Sequence, residues 1–174
     1  MEQSPIKIIL FGLDNAGKTS IALCLQRKNN LSYFTDLSPT RGHDVVSFLD
    51  KKTNTQISIW DFGGQKEHRA DHIKRLNEEF SIGASKLIYV IDIQDTQRYD
   101  LSLEYFGEIL ELIEKVDNNI KISVFLHKFD PNLTFDEGKI SNLMDRIKKM
   151  IAPKFQYNIF KTSVYTIFSK KLAY

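Results

Sequence analysis

Cys24 is the chain's only cysteine, so no internal disulfide can form and a reducing interior fits. It stands in the apolar run Ile21 to Leu25, where a buried, inert thiol is expected. An excess of one charge is missing too. With 24 Lys and Arg against 22 Asp and Glu the net is +2, and no basic stripe recommends nucleic acid as a partner, although Lys170 and Lys171 have no acid near them. No apolar stretch approaches the roughly 18 to 20 residues of a membrane span, and Met1-Glu2-Gln3 has neither the basic nor the apolar part of a signal peptide. Glu2 stands where N-myristoylation needs glycine, and Ala173-Tyr174 is not a prenylation box. A cytoplasmic protein is expected, with any approach to a membrane made through partners. Internal repeats and low-complexity tracts are also lacking. The 174 residues, 42% of them hydrophobic, suffice for one core and are too few for two, so 1–174 is expected to be one domain.

What is present alternates. Short apolar, β-branched runs at Ile6 to Phe11, Asp44 to Leu49, Gln56 to Trp60, Lys86 to Ile91, Lys121 to Leu126 and Tyr157 to Lys161 are separated by segments of helical periodicity. This is the pattern of parallel strands joined by crossover helices. Only the second and third strands, joined by a polar turn over 50–55, predict an antiparallel hairpin. The fold class expected is α/β: six strands, mostly parallel with one antiparallel edge strand, and about five flanking helices. Helices are predicted after Lys18, after Lys66, over Leu101 to Val116, over Glu137 to Ile151 and at the C-terminus. In the third, Leu103, Phe106, Leu110, Ile113 and Val116 mark a buried face, and Glu104, Glu108, Glu111 and Glu114 a solvated one. The polar stretch from Asn29 to Pro39 is the longest connection without periodicity, a length that in a small α/β domain usually serves function or is disordered.

The strongest chemical signal follows the first strand. Gly12-Leu13-Asp14-Asn15-Ala16-Gly17-Lys18-Thr19 is G-x-x-x-x-G-K-T between a buried strand and a helix, the context of a P-loop. Backbone N–H groups from Asp14 to Ser20 are expected to cradle phosphate at a helix N-terminus, with Lys18 across the β- and γ-phosphates and the Thr19 hydroxyl on Mg2+. Asp61-Phe62-Gly63-Gly64-Gln65 ends the third strand. There Asp61 can hold a magnesium-bound water, the Gly64 N–H can meet the γ-phosphate, and Gln65 can orient an attacking water because its amide both donates and accepts. His127-Lys128-Phe129-Asp130 ends the fifth strand, at the sheet edge where open parallel sheets bind ligands. The Asp130 carboxylate matches the N1–H and amine of guanine, whereas adenine offers an acceptor at N1. Lys128 can lie along the base, Thr40 can add a hydroxyl to Mg2+, and Ser163 and Val164 can reach the base through backbone N–H groups. His68 and His72, four apart, have no third metal ligand nearby and are not read as a metal site. Trp60, Tyr33 and Phe34 are read as core or loop-packing aromatics rather than cofactor stackers.

With these motifs in order along nearly the whole chain, the sequence resembles the small GTPase superfamily. The P-loop, Pro39-Thr40 and Trp60 to Gln65 resemble the ADP-ribosylation-factor family. His127 in place of the usual asparagine, Ile88 to Asp92 and Lys161 to Tyr165 resemble the Rag family. The resemblance implies GTP and GDP with Mg2+ as ligands, slow GTP hydrolysis, and an exchange factor, an activating protein and effectors as partners. The factor family carries an amphipathic, often myristoylated helix before the first strand, and here only Met1 to Pro5 precede it. Rag proteins continue into a second domain that mediates dimers, so a homo- or heterodimer is one expectation. Asparagine at position 127 would tie the base site to the P-loop, and His127 is expected to lower nucleotide affinity.

Two functions follow from these readings. The first is a hydrolysing switch whose Thr40 and Gln65 loops respond to the γ-phosphate. Lys18, Thr40 and Gln65 are its candidate catalytic residues, and Thr19, Thr40 and Asp61, through water, its metal ligands. No arginine stands out as a cis transition-state ligand; Arg41 is read as facing solvent or an effector, and an arginine from a partner is expected. The second is a nucleotide-locked module that works by binding. An ATPase or kinase would share the P-loop, but Asp130 disfavours it.

Overall fold

The computed structural model describes residues 4–28, 30, 32–35, 37–66, 69, 73, 83–116, 119–152 and 154–165. Its elements run β1 (Ile6–Phe11), α1 (Lys18–Leu25), a single turn α2 (Ser32–Thr35), β2 (His43–Asp50), β3 (Thr55–Phe62), β4 (Lys86–Asp92), a 3₁₀ turn (Thr96–Arg98), α3 (Tyr99–Val116), β5 (Lys121–His127), α4 (Glu137–Ile151) and β6 (Tyr157–Lys161). One six-stranded sheet has the order β2-β3-β1-β4-β5-β6. All neighbours pair in parallel except β2 with β3, so the expected hairpin is the one antiparallel pair.

The central strands are buried on both faces, and their alternation sorts the core. Ile9, Phe11, Leu87, Tyr89 and Ile91 face the larger cluster with Phe106, Ile109, Leu143 and Ile147 from α3 and α4. Leu10, Ile88 and Val90 face the other way, against Ile21 and Ala22 of α1. Consecutive apolar residues in β1 and β4 thus serve two layers, which is why they read as unbroken runs. Burying one such side chain is worth about 1.5–3 kcal/mol, well above a surface ion pair at about 0–1 kcal/mol. The scaffold under the site therefore rests on strand packing.

The strands extend one or two residues beyond the expected ends, to His43, Asp50, Thr55, Phe62, Asp92 and His127, because the ladder continues through polar residues, and past Asp61 to Phe62, after the apolar pattern stops. Helix α3 begins at Tyr99, two residues before the expected Leu101, where the Tyr99 hydroxyl donates to Ile93 O at 2.6 Å and draws the turn inward. Its acidic face is exposed, as expected. Helix α2 falls inside the stretch read as loop. Lys66, Arg69 and Ile73 have helical backbone, in line with the helix after Lys66, while the expected C-terminal helix, His68 and His72 lie outside the described residues. Cys24 is half-buried rather than buried, and burial still pushes its thiol up. Tyr33 is 48% exposed in its loop, with the Lys28 ammonium 5.6 Å from its ring centroid, and is no part of the core; Trp60 packs at the core's edge as expected.

Candidate functional site: a phosphate loop joined to a base cleft

Because β1, β3, β4, β5 and β6 run parallel, their carboxyl ends share one edge, and every motif residue sits on that edge or just past it. A cavity of about 250 Å³ opens there, lined by Asp14, Asn15, Gly17, Lys18, Thr19, Ser20, Thr40, Gly64 and Gln65 together with Leu37, Ser38, Pro39 and Gly63. Ala16 is the exception among the expected loop residues. It is buried in the α1-side cluster, and its N–H donates to Leu13 O at 3.3 Å. Helix α1 begins on Lys18 with no acid in its first turn, which leaves its N-terminal dipole to an outside anion. The Lys18 ammonium is buried, donating to Gly12 O at 3.0 Å and Leu13 O at 2.7 Å. Burial pushes its pKa down to about 8, against Asp61 and Asp14, which pull it up. A cation held back this way is better matched to phosphate than to its present carbonyls.

Beneath the cavity three oxygen-bearing side chains converge. Thr19 Oγ1 donates to Asp61 Oδ2 at 2.6 Å, the Thr40 hydroxyl lies 3.2 Å from that of Thr19, and Thr40 Oγ1 donates to the same Asp61 oxygen at 3.4 Å. Asp61 is 4% exposed, and burial raises its carboxyl above the ordinary range, opposed by the Thr19 hydroxyl and the Lys18 ammonium. Its Oδ1 is buried without a hydrogen-bond partner. A hard-oxygen donor set with an orphaned carboxylate oxygen fits a divalent cation that prefers oxygen and keeps its waters, as Mg2+ does.

The loop carrying Thr40 is fastened to the loop carrying Gln65. Gly63 N–H donates to Gly42 O at 2.8 Å, one rung past the His43–Phe62 pair of the β2–β3 ladder. A β-carbon on Gly63 would lie 2.2 Å from Thr40 O. One on Gly64 would lie 2.1 Å from Asp14 N, so the Asp-Phe-Gly-Gly turn rests directly on the phosphate loop.

The second cluster lies past β5. Asp130 accepts the Gln94 amide on Oδ2 at 3.0 Å and the Ser163 hydroxyl on Oδ1. Both oxygens are thus engaged by donors of this chain, the same kind of bonds a guanine edge would offer in their place. Lys128, in the left-handed region at φ 65, directs its ammonium to Asp92 Oδ2 at 2.6 Å. Gln94 also donates to Lys128 O at 2.9 Å. Val164 follows Ser163 and is 38% exposed. His127 connects the two clusters: its Nδ1 lies 2.9 Å from Thr162 Oγ1, and its ring packs on Gly17. Burial lowers its pKa, helped by the Lys128 ammonium and opposed by Asp92 and Asp130.

Gln94, Arg69 and Arg98 were not expected here. Arg98 Nη1 reaches Asp14 Oδ1 at 3.0 Å, and Arg69 Nη2 reaches the same oxygen at 3.6 Å. The one available signal was Asp14 itself, since an acid inside an anion-binding loop calls for nearby cations. Arg41 is exposed, as expected.

A phosphate cradle on the strand ends, an oxygen-lined cation position below it and a carboxylate poised for a purine edge define a P-loop guanine-nucleotide-binding domain. The chain is a small GTPase and belongs to the family described as the Gtr1/RagA G protein conserved region, which matches residues 7–170. It is also 31% identical over 144 residues to ADP-ribosylation factor-like protein 3 of Chlamydomonas reinhardtii, covering 83% of this chain and 74% of that protein. With ADP-ribosylation factor 1 of Brassica rapa subsp. pekinensis it shares 30% over 158 residues, 90% of this chain and 77% of that one. The solved structure of the Arl6 BBS3 small GTPase from Trypanosoma brucei, with the bound analogue GppNp, shares the fold. Its TM-score is 0.69 at 19% identity, over 92% of this chain and 87% of that one. Factor-like and Rag-like character therefore coexist along most of the chain, and GTP binding comes with the family.

Proposed function

We propose that the protein is a molecular switch that binds GTP and GDP with Mg2+ and hydrolyses GTP slowly until a partner accelerates it. The observation that carries this reading is the convergence of Thr40, from the loop after α1, on Thr19 and Asp61. We read this as a loop that is steadied on the cation position by the γ-phosphate and is released when the γ-phosphate leaves. Thr19 and Thr40 would hold Mg2+ through their hydroxyls, with Asp61 acting through a bound water. Bound there, the ion neutralises charge on the phosphate oxygens. Lys18 shares that task, the backbone N–H groups of the loop position the chain of phosphates, and Asp130 selects guanine. Gln65 lies on the cavity wall, where its amide can orient water toward the γ-phosphate.

On this reading turnover is slow until an activating protein supplies an arginine, worth about 10³–10⁵ in rate. Single-turnover GTP hydrolysis by the parent and by Gln65→Leu tests the mechanism: the variant should be far slower, and equal rates remove Gln65 from it. The Gtr1/RagA match favours a second reading, a nucleotide-locked module acting within a homo- or heterodimer. The nucleotide that co-purifies separates them, GDP supporting turnover and retained GTP the lock. Under either reading 1–174 acts as one G domain, cytoplasmic, reaching membranes through exchange factors and effectors.

A further inference from the structure

We infer that Arg69 is a positioning residue for GTP hydrolysis, setting the Gly64–Gln65 peptide plane from a guanidinium anchored on the P-loop's own carboxylate. This rests on the hydrolytic role proposed for Gln65. The Arg69 Nε donates to Gly64 O at 2.9 Å, and its Nη2 lies 3.6 Å from Asp14 Oδ1. The side chain is only 13% exposed, and the guanidinium carbon sits 5.5 Å from the centroid of the Tyr105 ring. It is thus held on three sides, by a carbonyl, a carboxylate and an aromatic face.

The carbonyl matters most. Gly64 O and the Gln65 N–H belong to one planar unit, so fixing the oxygen fixes the direction in which the chain enters Gln65. On its other side Gly64 is pressed against Asp14 N and Leu13 C, so the unit is pinned at both ends. Asp14 is braced in turn. Arg98 Nη1 reaches its Oδ1 at 3.0 Å, and Arg98 Nη2 donates to its backbone O at 3.4 Å, from the fixed turn that opens α3. The planar fork of an arginine serves carbonyl and carboxylate through separate nitrogens in a fixed geometry, which the point-like ammonium of lysine does not reproduce. Misplacing a catalytic group by about 1 Å can cost about 10²-fold in rate.

Single-turnover hydrolysis and GDP and GTP affinities of Arg69→Ala, Gln65→Leu and the double variant test this. Arg69→Ala should hydrolyse GTP about 10- to 100-fold more slowly, with both affinities within about twofold of the parent. Arg69→Lys should not restore the rate. In the Gln65→Leu background Arg69→Ala should change nothing further, because it acts through Gln65. A full rate in Arg69→Ala, a parallel loss of affinity, or additive losses in the double variant would overturn the inference while leaving Gln65 in place. Equal rates for parent and Gln65→Leu would overturn the underlying mechanism instead, and the inference with it. Should Arg69→Ala fail to fold, Arg98→Ala, which removes the brace on Asp14 together with the Arg98–Asp95 pair, must show the same selective fall in rate where Asp95→Ala, which removes that pair alone, does not, and an unchanged rate in Arg98→Ala counts against the inference.

Discussion

His127 closes over Gly17: a β-carbon on that glycine would stand 2.5 Å from the imidazole Cδ2 and 2.8 Å from Nε2. The residue that ends β5 thereby touches both the phosphate loop and, through Thr162, the loop beside Asp130.

Gly17→Ala meets two obstacles, a φ of 90° that L-residues resist and the ring of His127. Together they should cost about 3 kcal/mol, or about 100-fold in GDP affinity. Titration with a fluorescent GDP analogue checks this, and parent-like affinity would mean that the imidazole yields freely.

Acid should weaken the same contact. The folded-state pKa of His127 lies below its ordinary value, mainly through burial and then the Lys128 charge, so on acidification the unfolded chain takes the proton first. Stability present above about pH 6.5 is then lost as pH falls. Melting temperatures of the parent and His127→Asn between about pH 7.5 and 5.5 should diverge at the acid end, the parent losing more. Parallel curves would assign the acid sensitivity elsewhere.

Asp130→Asn replaces an acceptor pair with one acceptor and one donor. GTP should bind at least about 30-fold more weakly, from the loss of roughly 2 kcal/mol, and xanthosine triphosphate, which carries a carbonyl where guanine has its amine, should gain. Competition binding measures both. ATP displacing guanine nucleotide from the parent as well as GTP does would sink the guanine assignment.

Gly63→Ala should separate the loops, since the new methyl would fall 2.2 Å from Thr40 O and 3.1 Å from Gly42 O. Pushing Thr40 away removes one hydroxyl from the cation position. Single-turnover hydrolysis should drop about 100-fold while GDP affinity stays within about tenfold, because GDP needs the P-loop and Asp130 more than Thr40.

Strand–loop–helix signals were readable at Gly12 to Thr19 because each condition there is local: an apolar run, glycines where the chain turns, and a helix start. The carboxyl-edge placement of Asp61 and Asp130 was readable too, since parallel connectivity dictates it. Side chains recruited across the sheet were not. Arg98 meets Asp14 across 84 residues and Gln94 meets Asp130 across 36, distances at which periodicity carries no information. Lys128 illustrates a subtler miss: its ion pair with Asp92 depends on β4 and β5 ending at the same level, a matter of register.

The rung between Gly63 N–H and Gly42 O gives the molecule a clock on its own loops. While it holds, the Gly63 amide is shielded from solvent deuterium; under the proposed switch, each lifting of the Thr40 loop would expose it for as long as the loop stays away. Exchange at this one amide would therefore report what fraction of the time the loop stands open, and its slowing on nucleotide binding would read out how firmly the γ-phosphate shuts the gate.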